Sequence, residues 1–352
     1  ITDTSEDEYY QAFLNAQEYL HSLGITAWQE AILGDYAALD DPSSVYVRAA
    51  ETGTLTARVR GALWWEREHG LEQIGTLAER RRVLQRDRFG PGAVKVMQDG
   101  IAENYTAGMT APYLDGCGCA TTNKGLSFVD PGLLREAVVR LDAEGFQVHF
   151  HAIGDRAVRE ALDSVEQART TNGANDLRHH IAHIQVIHPD DRPRFKQLGV
   201  TANMQPLWAA HDDSMVDLTL PYLDPERAAW QYPFADLLRA GADLAAGSDW
   251  PVSSPDPLAG IHVAVNRRVH GAPGREGSDP FLPEQAIGLE QAFAAYTSGS
   301  AYVNHLDDAG ALEPGFVGDL AVLDRDPFLG DLDEVAAAQV VATYVDGERV
   351  FG

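Results

Sequence analysis

The sequence has little cysteine and no long apolar run, and each shortage excludes a class of protein. Cys117 and Cys119 are the only cysteines among 352 residues, and a single glycine separates them. A disulfide across so short a loop would be strained, and no CxxC pair is present to suggest a structural zinc site. We interpret both as reduced loop cysteines and predict a cytoplasmic protein. No apolar run approaches the ~20 residues that a membrane helix needs.

Basic residues are also scarce, with 27 Lys and Arg against 53 Asp and Glu, for a net charge of −26. This balance argues against nucleic acid and against anionic membrane surfaces as partners. The apolar fraction of 45% is ordinary for a globular protein, and the length suits one large domain plus a small one. The chain begins at Ile1 and not at Met, so the sequence gives no information on whether a signal peptide has been removed.

The most informative stretch is residues 145–155, GFQVHFHAIGD, which predicts a strand running into a loop. Side chains on a strand alternate faces, so His149 and His151 share a polar face while Val148 and Phe150 lie on an apolar one. Strands of a small parallel barrel have this pattern and can aim catalytic groups inward at their C-terminal ends. An open sheet with one wet face fits as well.

Strand-like and helical segments alternate along the chain, which predicts a parallel sheet in an α/β fold. Seven strand-like segments occur, at residues 25–30, 57–65, 93–99, 177–186, 200–207 and 242–248 and within the stretch 145–155. An eight-stranded (β/α)8 barrel of the TIM type needs one more strand. Because the chain opens on a helix after the capping-box pattern at residues 5–8, we expect the missing first strand upstream of Ile1. A seven-stranded or open sheet remains the alternative.

The C-terminal part is rich in strand-forming residues, at 318–324 and 340–351, and its Asp346-Gly347 pair predicts a tight hairpin. We predict a barrel domain at residues 1–310 and part of a small β-domain at 311–352. Residues 100–128 have no regular period, and a loop of this length is often a lid or a binding loop.

Four predicted strands carry a residue that can bind metal: Lys95 lies on the strand 93–99, on the face of Met97 and Asp99, and His151, His183 and Asp249 lie at or near the ends of three others. Period-two alternation places His183 on the face of its strand that carries His179, Ile181 and Gln185. In a barrel the four strand ends meet at one mouth, where two imidazoles and a carboxylate suit Zn²⁺ and similar ions.

Lysine is the unusual member of this set, because a protonated ammonium repels a cation. Lys95 could capture CO₂ as a carbamate and become an anionic ligand, or it could be a Schiff-base lysine with a pKa lowered by burial. An ion pair with Asp99 is the third interpretation.

Six sequence motifs occur in this order: VKVMQDG, HFHAIGD, IAHIQ, NMQP, GSDWPV and the C-terminal YTSGSAYVNHLDDAGALEPGFVGDLAVLDRDP. Together they resemble motifs of the amidohydrolase superfamily. Within it they most resemble the branch that contains N-substituted formamide deformylases and YtcJ-type hydrolases. The resemblance implies a (β/α)8 barrel with a small β-sandwich domain. It implies one or two divalent ions, with zinc expected. The residue roles it implies are a carbamylated bridging Lys95, His151 and His183 on the second metal, and Asp249 as ligand and proton shuttle.

By the same resemblance we predict a metal-dependent hydrolase that cleaves amide-type, non-peptide C–N bonds of a small molecule through a metal-activated water. Candidates for the substrate pocket are Asp99, Gln205 and Trp250, and a homo-oligomer is compatible with the sequence. The family's first strand carries a His-x-His pair, and none occurs before Lys95. We expect that the N-terminus is truncated, although another chain could supply the pair or it could be lost. The alternatives are therefore an inactive or non-catalytic fragment, and, well behind it, a Schiff-base aldolase that uses Lys95.

Overall fold

The computed structural model describes residues 4–37, 39–271 and 279–352. The chain divides into two compact units, the first made of residues 1–95, 304–326 and 338–352 and the second of residues 96–303 and 327–337. The predicted division into domains at 310/311 stays a prediction, and residues 1–3, 38 and 272–278 of its first domain lie outside the described residues.

In the described part of the chain, seven parallel strands follow one another in the order of the sequence. They are β1 Ala27–Leu33, β2 Arg58–Trp64, β3 Phe89–Met97, β4 Gln147–Ala152, β5 His180–His183, β6 Thr201–Met204 and β7 Leu244–Ala246. The predicted α/β fold with seven parallel strands is thereby confirmed. Closure into an eight-stranded barrel, with a first strand upstream, stays a prediction.

Helices separate the strands; among the described residues they are α1 Glu6–Ser22, α2 Ser43–Thr52, α3 Gln73–Leu84, α4 Pro131–Ala143, α5 Asp155–Asn172, α6 Arg192–Leu198, α7 Pro225–Ala228, α8 Phe234–Arg239, α9 Pro257–Asn266, α10 Leu289–Ala294 and α11 Ser300–Val303. Helix α1 begins as the sequence predicts, because the Ser5 hydroxyl accepts the Glu8 N–H and the Glu8 carboxylate accepts the Ser5 N–H. None of the helices in these described ranges is long and apolar enough to cross a membrane.

The C-terminal strands form a separate antiparallel sheet in the first unit, with β8 Leu320–Leu323, β9 Val340–Val345 and β10 Glu348–Phe351 in the order β10-β9-β8. Asp346 and Gly347 connect β9 to β10 with φ angles of 52° and 78°. Two successive left-handed residues are typical of a tight hairpin turn. The predicted small β-structure and its Asp-Gly turn are therefore present.

The strand β4 shows how the second unit positions its polar groups. Val148 and Phe150 are fully buried on one face, where apolar side chains pack away from water. His149 and His151 alternate with them and lie on the other face, as the sequence pattern predicts. The site described next is built on that polar face.

Candidate functional site

The first element of the site is the end of β4, where His151 is 8% exposed. Its Nε2 atom lies 3.1 Å from the carbonyl oxygen of Gly100 and 3.6 Å from a carboxylate oxygen of Asp99. Both of these neighbours come from the loop that follows β3. The imidazole is therefore held at the point where β4 and this loop meet.

The second element is β5, and here the alternation expected from the sequence is wrong. In the β4–β5 register His180 lies opposite His149, with ring centroids 4.1 Å apart, and Ala182 lies opposite His151. Regular alternation would therefore turn His183 away from His151. His183 instead has a φ of 78°, and its ring centroid lies 4.3 Å from that of His151 at an interplanar angle of 65°. The left-handed backbone brings the two imidazoles together.

His179, which we expected to share a face with His183, lies elsewhere. It is fully buried, its Nδ1 atom accepts the Val148 N–H at 3.0 Å, and its Nε2 atom lies 3.0 Å from the Asp142 carboxylate. A side chain with both ring nitrogens occupied in this way has a structural role.

The third element is β6 with the turn after it, which contacts His183 twice. The Gln205 side-chain oxygen accepts the His183 N–H at 2.7 Å, and Gln205 is 4% exposed. Trp208 stacks on the His183 imidazole, with centroids 5.4 Å apart and an interplanar angle of 24°. These contacts fix both the backbone and the ring of His183.

Asp99 anchors the loop after β3 and is fully buried. Its carboxylate accepts three backbone N–H groups, from Gly108 at 2.8 Å, Gly154 at 2.9 Å and Ile153 at 3.0 Å. Burial raises the pKa of Asp99 to about 7, against the lowering effect of these three donors. In the structure these hydrogen bonds let Asp99 hold the surrounding loop in place. Its predicted contact with substrate stays a prediction.

The remaining predicted site residues are divided between the units. Lys95 lies on β3 in the first unit and is 5% exposed. Asp249 lies in the second unit, three positions beyond the end of β7, half-buried and with a φ of 56°. Trp250 follows it with 40% of its surface exposed. The structure brings His151 and His183 together; the convergence of Lys95 and Asp249 with them stays a prediction.

The side-chain atoms that these residues present show whether they could bind a divalent ion. Two neutral imidazoles on adjacent strands are the ligand type that zinc prefers, and the buried His151–His183 pair fits two coordination positions. Within residues 4–37, 39–271 and 279–352, no three His, Cys, Asp or Glu side chains are grouped so that they could hold a metal. The pair could therefore supply two ligands of a metal ion, and the site as a whole belongs to the proposal below.

Three neighbours of the site were absent from the sequence-based prediction: His180, Asn203 and Trp208. The β4–β5 pairing could have identified His180, since a parallel register places it opposite His149. No sequence signal marks Trp208, because its contact with His183 depends on the turn Pro206–Trp208 after β6.

The chain is similar to known proteins over its whole length. A family model described as "Amidohydrolase family" matches residues 1–351. "Protein LONG AFTER FAR-RED 3" of Arabidopsis thaliana is 30% identical over 360 residues, which cover 100% of this chain and 59% of that protein. "Putative amidohydrolase YtcJ" of Bacillus subtilis is 26% identical, over 93% of this chain and 58% of that protein.

Among solved structures, an uncharacterized metal-dependent hydrolase from Pyrococcus horikoshii superimposes with a TM-score of 0.74. It is 27% identical, and the match covers 93% of this chain and 61% of that one. The chain therefore spans about three fifths of the length of these relatives. The resemblance stated from the motifs, to this family and its YtcJ-like branch, is confirmed.

Proposed function

Because this chain belongs to the amidohydrolase family, we propose that it is the core of a metal-dependent hydrolase of amide-type, non-peptide C–N bonds. The observation that carries the proposal is the buried His151–His183 pair, whose rings lie 4.3 Å apart at the ends of two adjacent parallel strands. The similarity to a metal-dependent hydrolase supports it. Zinc as the ion, a carbamate on Lys95, a small amide-like substrate, a homo-oligomer and a cytoplasmic location all stay predictions.

His151 and His183 would hold the ion, with Lys95 and Asp249 as the further ligands that the sequence predicts. A bound divalent ion supplies hydroxide from water near neutral pH and polarises a carbonyl group. Asp249 would transfer the proton. Its carboxylate would accept a proton from the attacking water and donate it to the leaving nitrogen. Its left-handed φ of 56° supports this role, because backbone strain of this kind concentrates at functional sites.

The test is hydrolysis of a panel of formamides, cyclic amides, ureas and esters by protein that has been stripped with chelator and reloaded with zinc. We expect turnover that chelator abolishes, and we expect Asp249→Asn to lower it by at least ~100-fold, as the loss of a general base does. Asp243→Asn is the control, because Asp243 is a surface residue whose side chain is 51% exposed. Full activity in the Asp249→Asn protein would contradict the role of Asp249.

A non-catalytic protein is the second candidate, and one observation favours it. Among the described residues, no third His, Cys, Asp or Glu side chain joins the His151–His183 pair in a group that could hold a metal. If the chain carries stoichiometric zinc yet hydrolyses no substrate of the panel, this candidate replaces the hydrolase. Trapping of a carbonyl substrate on Lys95 by borohydride would instead indicate the aldolase.

A further inference from the structure

The N–H group of His183 does not take part in the regular hydrogen-bond ladder between β5 and β6. Pairing between β5 and β6 ends at Ala182 and Asn203, and His183 then turns into the left-handed region with a φ of 78°. His183 is 3% exposed, so water is not at hand to accept its N–H. A buried backbone N–H must have an acceptor, and here the acceptor is the Gln205 side chain at 2.7 Å.

The direction of this hydrogen bond fixes a chain of further bonds. A backbone N–H can only donate, so the Gln205 atom that faces it is the oxygen. The Gln205 nitrogen then donates to the Asn203 oxygen at 3.1 Å, and the Asn203 nitrogen lies 3.3 Å from Nδ1 of His180. Since Nδ1 must accept in this direction, His180 is the tautomer with its proton on Nε2.

The ring of His183 is held by the same stretch of chain. Trp208 lies three residues after Gln205, at the end of the turn Pro206–Trp208, and stacks on the imidazole at 24°. One short segment, residues 203–208, therefore contacts the backbone of His183 with an amide and its ring with an indole. Nothing comparable is needed at His151, which continues the regular strand β4.

We propose that Gln205 and Trp208 are positioning residues that hold the His183 imidazole toward His151 in the orientation that binds metal. In this assignment Gln205 acts through the His183 backbone and not through substrate. The inference rests on the proposed function for its metal measurement only, because the orientation of the ring can be measured without metal.

The experiment compares matched variants by NMR of the histidine ring signals and by zinc titration. Gln205→Leu keeps the approximate size and removes the acceptor, whereas Gln205→Glu keeps an oxygen that accepts the His183 N–H. Trp208→Leu removes the stacked ring, whereas Trp208→Phe keeps an aromatic face. The His183 signals are assigned by their loss in His183→Gln, and those of His262, on α9, report whether the fold is intact.

We expect Gln205→Leu to shift and broaden the His183 ring signals and to raise the Kd for zinc 10- to 100-fold, the usual loss when a residue that orients a ligand is removed. Gln205→Glu keeps the acceptor for the His183 N–H but loses the donor to Asn203, so it should shift the signals and raise the Kd less than Gln205→Leu does. Trp208→Leu should move the His183 signals, because it loses the ring current of the indole, and Trp208→Phe should move them less.

Unchanged His183 signals in both Gln205→Leu and Trp208→Leu would overturn the inference. If Gln205→Leu does not fold, as the His262 signals would show, the Trp208 variants decide. If the unsubstituted protein binds no zinc, the proposed function fails, while the ring signals still test the positioning of His183 independently.

Discussion

Two histidine pairs between β4 and β5 have nearly the same spacing but are formed in different ways. His149 and His180 are direct partners in the parallel register, and their ring centroids lie 4.1 Å apart. His151 and His183 are not register partners, yet their centroids lie 4.3 Å apart. The first pair follows from regular strand geometry, whereas the second depends on the left-handed φ of His183.

This difference shows where the chain departs from regular structure near the site. The lower pair, His149 and His180, requires only alternation and pairing. The upper pair also requires the Gln205 acceptor, the stacked Trp208 and the loop held by Asp99. Such departures carry a cost that the surrounding contacts must offset, and they concentrate at functional positions. We therefore propose the upper pair, His151 and His183, and not the lower pair, as the metal ligands.

The largest expected effect comes from crowding the end of β4, which carries His151. A Cβ atom at Gly154 would lie 2.2 Å from the carbonyl oxygen of Gly108, and no side-chain rotation can relieve a contact with backbone. We expect Gly154→Ala to lower the free energy of unfolding by about 3 kcal/mol, at the upper end for overpacking, and to displace the loop held by Asp99. Urea denaturation measures the change.

Gly75→Ala is the matched control, because nothing lies within 4 Å of the added Cβ in helix α3. There the same substitution should stabilise by up to ~1 kcal/mol through helix propensity. Equal effects at the two positions would contradict the close approach of Gly108 and Gly154.

The next effect separates the two histidine pairs directly. His151→Ala should weaken zinc binding at least ~100-fold, about 2.7 kcal/mol, because it removes one of the two proposed imidazole ligands. His149→Ala, in the lower pair, should change the affinity only a few-fold. Titration with zinc against a competing chelator measures both. A larger loss in His149→Ala than in His151→Ala would move the metal to the lower pair.

The smallest expected effect concerns the Asp142 carboxylate, which is hydrogen-bonded to the ring of His179 and lies outside the proposed site. Burial by itself would raise the pKa of Asp142, but hydrogen bonds from His179, Asn175 and Asn172 outweigh it and lower the pKa from 3.8 to about 2. A pKa that is lower in the folded state means that ionised Asp142 stabilises the protein above pH ~4, and that this contribution is lost as the pH falls toward ~2.

Asp142→Asn should therefore lower the free energy of unfolding by about 1 kcal/mol at pH 7 and have little effect near pH 2, as denaturation at the two pH values would show. Asp190→Asn is the control, because Asp190 lies 3.6 Å from His188 with its side chain 86% exposed. Exposed pairs contribute little, so it should be nearly neutral. A loss in Asp142→Asn that does not depend on pH would contradict the assigned ionisation.

Much of the fold could be predicted because local patterns agree with it. The seven strands, the capping box at Ser5 and the Asp346-Gly347 hairpin each depend on residues close in sequence. Helix α9 was not predicted, since seven of its ten residues are buried and no single apolar stripe marks it as a helix. A helix that is buried on nearly all sides lacks the alternation of apolar and polar faces on which such predictions depend.

The sequence by itself determined the alternation of strands and helices, the family, and the strand ends that carry His151 and His183, because apolar periodicity and short motifs are local properties. Only the tertiary structure decided which way His183 faces. Its orientation depends on a backbone angle that the side-chain acceptor of Gln205, just after β6, and the indole of Trp208 stabilise. Contacts between residues that are distant in sequence leave no period to detect, so they emerge only when the strands lie side by side.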